Sequence, residues 1–342
     1  MSTIRDVAAR AGVSTATVSR VLNNDTVYKM TDETRDRVWK AVAELGYRPK
    51  STKLPLPSSS TADAPLRIGC ILSVTKEKYK DPYFMSILSG IEKRLGEKGY
   101  TLSFLRTYHE IEDKLTFSKL FADPVDGLIL MDNLREDLYR QARTLVSHIV
   151  GVDTIRTDID NVGYDHYDVA TRAVQHLIER GHTKIGFIGG SGLPGPNGKA
   201  SLRNSMRYKG FFATMHAAEL PVNPDWVRDC QWDEALCCQI VSEIVALPNR
   251  PTALFCASDL MAIAALSALY NAKISVPEEM AVIGLSNIEL SQFSSPPLTT
   301  LNVPTQEIGM VAVDLLCNRI AGSILLPKRV ILPTQLIQRS ST

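Results

Sequence analysis

The 342-residue sequence predicts an α/β protein: two doubly wound parallel-sheet lobes behind a small all-α N-terminal domain. Three observations carry this expectation. Residues 1–50 show only helical periodicity and capping signals, and residues 49–65 are dominated by Pro, Ser and Thr. From Leu66 onward, short apolar runs alternate with amphipathic segments. Alternating β and α implies parallel sheets covered by helices on both faces.

The N-terminal fifty residues read as three short helices. Thr3 caps the first, with Asp6 three residues later to answer the orphan amides, and Ile4, Val7 and Ala8 form its inner face. Gly12 stops it, because glycine tolerates the left-handed turn. Helix crossing also favours small residues, here Ala8 and Gly12. Ser14 caps a second helix with Val18, Val21 and Leu22 inside. Thr31 caps a third, followed by Asp32 and Glu33, with Val38, Ala41, Val42 and Leu45 at helical spacing.

Residues between Pro49 and Pro65 form a linker. Beyond it, strands are expected at Arg67–Leu72, Thr101–Leu105, Val125–Leu130, His148–Val152, Lys184–Ile188, Val227–Cys230, Ala253–Ala257 and Ala281–Leu285. Helices are expected at Phe84–Lys98, Val169–Arg180, Ser201–Ala218, Glu234–Ala246 and Leu260–Tyr270. In such sheets ligands sit at the carboxyl ends of strands, and two facing lobes would share a cleft there.

Composition narrows the function classes. Hydrophobic residues make up 44%, ample for a core. Residues 1–50 hold nine Lys/Arg against six Asp/Glu, a net +3 that leaves −2 for the rest of a chain totalling +1. That sign suits a small nucleic-acid head on a neutral body. Cysteines at 70, 230, 237, 238, 256 and 317 lack metal spacing and read as reduced thiols. His109, His148, His166, His176, His182 and His216 show no metal spacing either. The N-terminus has no apolar signal core, and the most apolar window, Thr252–Tyr270, is interrupted by Asp259. A cytoplasmic protein without cofactor or membrane partner is expected. The glycine run 189–198 lacks the Gly-Lys-Ser/Thr ending of a phosphate loop and reads as a cleft-edge loop. No nucleophile elbow or paired catalytic acids stand out, which disfavours a sugar-processing enzyme.

The most specific pattern lies in the first two helices. Packing Val7, Val18 and Val21 between them leaves Thr15, Ala16, Thr17, Ser19 and Arg20 on the outer side of the second helix. Such a helix can face base edges in a major groove. Arg20 is long enough to reach guanine O6 and N7. Thr15 and Ala16 are short enough to touch bases or a thymine methyl, and Ser14, Thr17 and Ser19 suit phosphates.

The run Asp6-Val-Ala-Ala-Arg-Ala-Gly-Val-Ser-Thr-Ala-Thr-Val-Ser-Arg-Val-Leu-Asn23 resembles the signature of the lactose-repressor (LacI/GalR) family. The similarity continues through Tyr47 and Pro49. In the body it covers Asp81-Pro-Tyr-Phe84, Arg180-Gly-His-Thr-Lys-Ile-Gly-Phe-Ile-Gly-Gly190, Arg207-Tyr-Lys-Gly-Phe211, Pro251–Leu260 and Ser295-Pro-Pro-Leu-Thr-Thr-Leu301. The resemblance implies a helix-turn-helix head on a periplasmic-binding-protein-like core, working as a homodimer or tetramer. It implies a regulator, by default a repressor relieved by a sugar. It adds Asn23, Thr31 and Tyr47 to the DNA-facing set. The body motifs resemble family members that control β-galactosidase genes, which implies a galactoside effector.

For that effector the resemblance implies Arg207, a fork of donors suited to paired hydroxyls. Asp153, after strand His148–Val152, is an acceptor or a helix cap. Ser258 is expected to face the ligand, with Asp259 at least as suited to cap the helix that follows. Phe84 and Trp232 offer aromatic faces to a sugar or to the core. Asn287 stands where many relatives carry an acid, which removes a strong acceptor. The linker departs from the family: relatives often have a hinge helix whose leucine enters the minor groove. Here Leu54 and Leu56 are flanked by Pro55 and Pro57, so no regular hinge helix is expected, with Leu56 kept as a wedge. The expected layout is a head at 1–50, a linker at 51–65 and a two-lobed core at 66–342. The amino-proximal lobe takes 66–162 plus 302–324, and the carboxy-proximal lobe 163–301 plus 325–342. A transport-type sugar-binding protein would fit the body alone, but not the head.

Overall fold

The computed structural model describes residues 2–22, 30–45, 47, 65–192, 201–323 and 326–342. They divide into two compact units: Met1–Ser73 with Ile91–Asn161 and Met310–Arg329, and Val74–Gly90 with Val162–Gly309 and Val330–Thr342.

In the first unit the head comprises α1 (Ile4–Ala11), α2 (Thr15–Leu22) and α3 (Asp32–Leu45). Local chemistry sets its boundaries. The Asp6 amide donates to Thr3 Oγ1 at 3.3 Å, and Thr3 N donates back to Asp6 Oδ2 at 2.6 Å, a reciprocal cap. Gly12 adopts φ 65° and lets the Val13 amide reach the Ala8 carbonyl at 3.0 Å. A Cβ at Gly12 would meet nothing within 4 Å, so this glycine serves the left-handed turn and not the helix crossing. Thr17 N donates to Ser14 Oγ at 3.0 Å, and Thr34 N to Thr31 Oγ1 at 3.4 Å. Val7, Val18, Val21, Val38 and Trp39 pack as one cluster.

The chain continues through β1 (Arg67–Leu72), α4 (Pro82–Glu97), β2 (Thr101–Thr107), α5 (Lys114–Leu120), β3 (Gly127–Met131), α6 (Glu136–Leu145), β4 (Ile149–Val152), β5 (Asp160–Gly163), α7 (His166–Glu179) and β6 (Ile185–Gly189). It then forms α8 (Met206–Ala217), β7 (Val227–Asp229), α9 (Glu234–Val245), β8 (Ala253–Cys256), α10 (Asp259–Asn271) and β9 (Ala281–Ser286). The last elements are β10 (Thr299–Asn302), α11 (Thr305–Ile320), β11 (Arg329–Ile331) and β12 (Gln335–Ile337). One six-stranded sheet has the order β11-β5-β4-β3-β1-β2, with β2, β1, β3 and β4 parallel. The other runs β12-β10-β9-β8-β6-β7, parallel except for the antiparallel β12. Strand order reverses at β1/β3 in the first sheet and at β6/β8 in the second. These are the switch points outside whose carboxyl ends ligands bind in open α/β sheets.

Ile71, Phe117, Leu128 and Leu138 anchor the core of the first sheet. In the second, Phe187 meets Phe211 at 5.3 Å and Phe255 at 5.4 Å between ring centroids. Cys70, Cys230, Cys237 and Cys256 are buried free thiols.

Two expectations change. Residues 74–90 and 302–309, expected in the amino-proximal lobe, group with the second unit and with each other. Ser86 Oγ and Thr305 Oγ1 share a hydrogen bond at 2.6 Å, and a Cβ at Gly90 would lie 2.1 Å from the Gln306 carbonyl. Residues 326–329, expected in the carboxy-proximal lobe, group with the first unit. There the Asn161 amide donates to the Lys328 carbonyl at 2.8 Å. Linker residues 51–64, with Leu56, lie outside the described residues, as do Asn23 and residues 193–198 of the glycine run.

Candidate functional site

The outer surface of α2 takes its shape from helical periodicity. Val18 and Val21 are buried, while Ser14, Thr15 and Ala16 are exposed and Thr17, Ser19 and Arg20 half-buried. Ser14 and Thr17 also share a side-chain hydrogen bond at 2.9 Å. This leaves a rim of short side chains with one long cation, a surface that can approach a groove closely. Thr31 is exposed at the start of α3. Tyr47 differs from expectation: its ring packs in the core of the head, 7% exposed.

In the second unit, Phe84, Arg207 and Trp232 come together. Asp229 ends β7 and accepts from the Ser191 and Gln231 amides at 3.0 and 2.9 Å, tying the loop after β6 to the loop after β7. Gln231 and Trp232 both adopt the left-handed region, at φ 53° and 64°, a cost that such outside tethers must hold. The indole Nε1 donates to the Ser191 carbonyl at 3.0 Å, and the ring lies over Gly190, where a Cβ would come within 2.5 Å. The Arg207 guanidinium, in the first turn of α8, stands 5.7 Å from the Trp232 ring. Its Nη2 donates to the Tyr164 hydroxyl at 2.5 Å. Lys78 Nζ sits 4.8 Å from the Trp232 ring and 5.4 Å from Phe84. Tyr83 meets Phe84 edge-on at 5.1 Å and Tyr164 at 6.4 Å. The ensemble presents aromatic faces beside a guanidinium fork, a combination that binds apolar C–H faces and hydroxyl or acidic oxygens together.

Lys78, Asp81, Tyr83 and Tyr164 carry no individual signal in the sequence as ligand residues. Asp81 and Tyr83 belong to the quoted Asp81-Pro-Tyr-Phe84 motif, but no sequence signal marked Lys78 or Tyr164. Asp81 is buried and accepts from the Tyr83 amide at 3.0 Å, and burial pushes its carboxyl above the usual range.

Ser258, expected to face the ligand, takes the capping role expected of Asp259. Ser258 caps α10, accepting from the Met261 amide at 3.4 Å, which turns its hydroxyl to its own helix. Asp259, fully buried, reaches across the sheet and accepts from Thr300 Oγ1 at 2.6 Å and from the Ile288 amide at 2.8 Å. Asn287 follows β9 at φ 55°. Its Oδ1 accepts from Arg339 Nη2 at 2.8 Å and lies 3.3 Å from Ser291 Oγ, while Nδ2 donates to Asn302 Oδ1 at 3.0 Å. The Ser291 hydroxyl has a single proton and places it on the Ile288 carbonyl at 2.6 Å, so Arg339 is the partner that holds Oδ1, and Asn287 can offer a ligand an acceptor lone pair as well as the second Nδ2–H.

Asp153 belongs to the first unit. It follows β4 at φ 54° and is half-buried, and no helix starts there, so the helix-cap alternative falls away. Asn161 fixes this loop: the Thr154 amide donates to Asn161 Oδ1 at 3.4 Å, and Asn161 Nδ2 donates to Thr154 Oγ1 at 2.9 Å.

Burial raises the Asp259 carboxyl from its ordinary 3.8 to about 7. A folded-state value above the unfolded one means that the folded chain holds the proton more tightly. This contribution to stability is complete below pH 3.8 and is lost as pH rises to about 7. The Asp259→Asn variant cannot titrate there. Its melting temperature relative to the unsubstituted chain should therefore climb between pH 5 and pH 8. A constant difference across that range would contradict the buried acid.

No helix among the described residues is long and apolar enough to cross a membrane. The family model described as bacterial regulatory proteins, lacI family, matches residues 3–50, and the periplasmic binding protein-like domain matches residues 174–342. The HTH-type transcriptional repressor PurR of Aliivibrio salmonicida (strain LFI1238) is 35% identical over 329 residues, covering 94% of this chain and 92% of that protein. PurR of Pasteurella multocida (strain Pm70) is 35% identical over 330 residues, with the same coverage. Among solved structures, a complex of the transcriptional regulator CelR with cellobiose aligns at TM-score 0.72 and 28% identity over 100% of both chains. The lac repressor dimer bound to operator and the anti-inducer ONPF aligns at TM-score 0.69 and 26% identity, over 99% of this chain and 98% of that one. The chain belongs to the LacI family of bacterial regulatory proteins, which are DNA-binding transcription regulators.

Proposed function

We propose that this chain is a cytoplasmic, homodimeric repressor of carbohydrate-utilisation genes, with a head at 1–50, a linker at 51–65 and a core at 66–342. The observation that carries the reading is the rim of α2, where Thr15 and Ala16 are exposed over the buried Val18 and Val21. In this reading Arg20, Thr15 and Ala16 meet base edges, and Ser14, Thr17, Ser19 and Thr31 meet phosphates. Asn23 and Leu56 join them from outside the described residues, and Tyr47 acts by packing the head.

The effector is a small sugar held by Arg207 with Phe84 and Trp232, and by Asn287. A sugar is supported by the solved relative in complex with cellobiose and by aromatic faces beside a guanidinium. A galactoside is the first candidate within that class. A thermal-shift panel of galactose, lactose, cellobiose and purine bases tests it, because a bound effector raises the melting temperature by mass action. A shift with sugars alone supports the reading; a shift with a purine base alone overturns it.

For the DNA side, Arg20→Ala should lower preference for the best operator over a scrambled duplex by about 10- to 100-fold, the worth of one bidentate contact to guanine. Competition gel shifts at fixed salt measure this ratio. An unchanged ratio would remove Arg20 from base reading.

A further inference from the structure

The loop that follows β9 carries two consecutive left-handed residues that are not glycine, Ser286 at φ 121° and Asn287 at φ 55°. Each costs on the order of 1 kcal/mol or more, so the loop persists only if its surroundings hold it. Two tethers run from it to one buried carboxylate. The Ile288 amide donates directly to Asp259 Oδ2 at 2.8 Å. The Asn287 amide donates to Thr300 Oγ1 at 3.3 Å, and that hydroxyl spends its single proton on Asp259 Oδ1 at 2.6 Å. The relay therefore has one direction, from the Asn287 amide through the Thr300 hydroxyl to the carboxylate. The backbone makes room for it: a Cβ at Gly284 would stand 2.3 Å from Asp259 Oδ1.

We infer that Asp259 is the positioning residue of the β9 loop, holding Ser286–Ile288 through the Thr300 hydroxyl and the Ile288 amide in the conformation that presents Asn287. Charge matters to this task, because hydrogen bonds to an ionised acceptor are roughly twice as strong as neutral ones. A protonated Asp259 weakens both tethers at once. Burial places that change near neutral pH, at about 7. Asp81 pushes the value up and Arg339 draws it down. The Cys256 thiol, raised well above 9.0 by burial, adds no charge. The consequence for regulation rests on the proposed assignment of Asn287 to the effector: a firmer loop above pH 7 means tighter effector binding there.

Amide hydrogen exchange on the full chain, normalised to intrinsic rates, reads the relay without any ligand. Protection of Asn287 and Ile288 should be about five-fold higher at pH 8 than at pH 6, the worth of one net hydrogen bond. Thr300→Val keeps the shape and removes the hydroxyl. It should lower Asn287 protection about five-fold at both pH values while Ile288 keeps its pH response. Thr300→Ser should restore the behaviour of the unsubstituted chain. Asn287 protection that is unchanged in Thr300→Val, or independent of pH in the unsubstituted chain, would overturn the inference. The effector arm is read apart, by thermal shift with galactose and with cellobiose. A shift in the unsubstituted chain that shrinks in Thr300→Val supports the link. If exchange responds as expected but neither sugar shifts any variant, the sugar reading fails while the positioning role stands.

Discussion

Replacing Arg207 by alanine is expected to abolish the effector response while leaving operator affinity unchanged. The guanidinium is held from one side by the Tyr164 hydroxyl, at 2.5 Å, and stands 5.7 Å from Trp232. A charged donor contributes roughly 1.5–3 kcal/mol per hydrogen bond to a ligand oxygen, so two lost bonds lower affinity by at least about 100-fold. Lysine keeps the charge but not the planar fork, and should recover only a fraction of the binding. Titration calorimetry with the sugar that shifts the melting temperature most gives the number. Full affinity in Arg207→Ala would take this arginine out of the site. Operator affinity is the control, because Arg207 lies in the second unit and the head in the first.

The largest stability loss is expected from Asp160→Ala. Asp160 is fully buried and accepts from Arg319 Nε and Nη2, both at 2.8 Å, and from the Lys328 amide at 2.7 Å. Removing the carboxylate leaves a largely buried guanidinium without its counter-charge, which costs about 3–5 kcal/mol. Arg319 keeps 19% of its side chain exposed, so water softens the loss toward the lower figure. A drop of roughly 3 kcal/mol corresponds to a melting temperature lower by on the order of 10 °C. Asp160→Asn keeps one acceptor and should lose less. A melting temperature for Asp160→Ala within a degree or two of the unsubstituted chain would show that this pair does not hold the first unit together.

The contrast between these two residues shows what a sequence can reveal. The head was legible because its determinants are local: Thr3 with Asp6, Gly12, Ser14 and Thr31 each act within a few residues. Strands such as β1, β8 and β9 were legible because a continuously apolar run has few alternatives to a buried parallel strand. Strand β5, Asp160-Asn-Val-Gly163, was not, since its burial depends on Arg319, 159 positions away. Strand β10, Thr-Thr-Leu-Asn, is polar for the same kind of reason: Thr299 and Thr300 hydrogen-bond to Thr342 and Asp259.

The site divides in the same way. Arg207, Trp232 and Phe84 are marked by the family resemblance together with their side-chain chemistry, and the structure brings them together. For the adjacent Ser258 and Asp259 the sequence points the wrong way, Ser258 to the ligand and Asp259 to the cap, because either side chain can cap a helix. What decides between them is Thr300, 41 residues further on, and the Ile288 amide.

An effector can shift operator binding only by its differential affinity for the chain's states, so head and ligand site must each work alone before their coupling has meaning. The measurement that bears most directly on the whole account is selection of a random duplex library by the purified chain, with and without sugar. The purified chain should enrich one pseudopalindromic sequence, held in a salt-dependent manner and lost in Arg20→Ala. A library that emerges without any enriched sequence at low ionic strength, sugar present or absent, would contradict it.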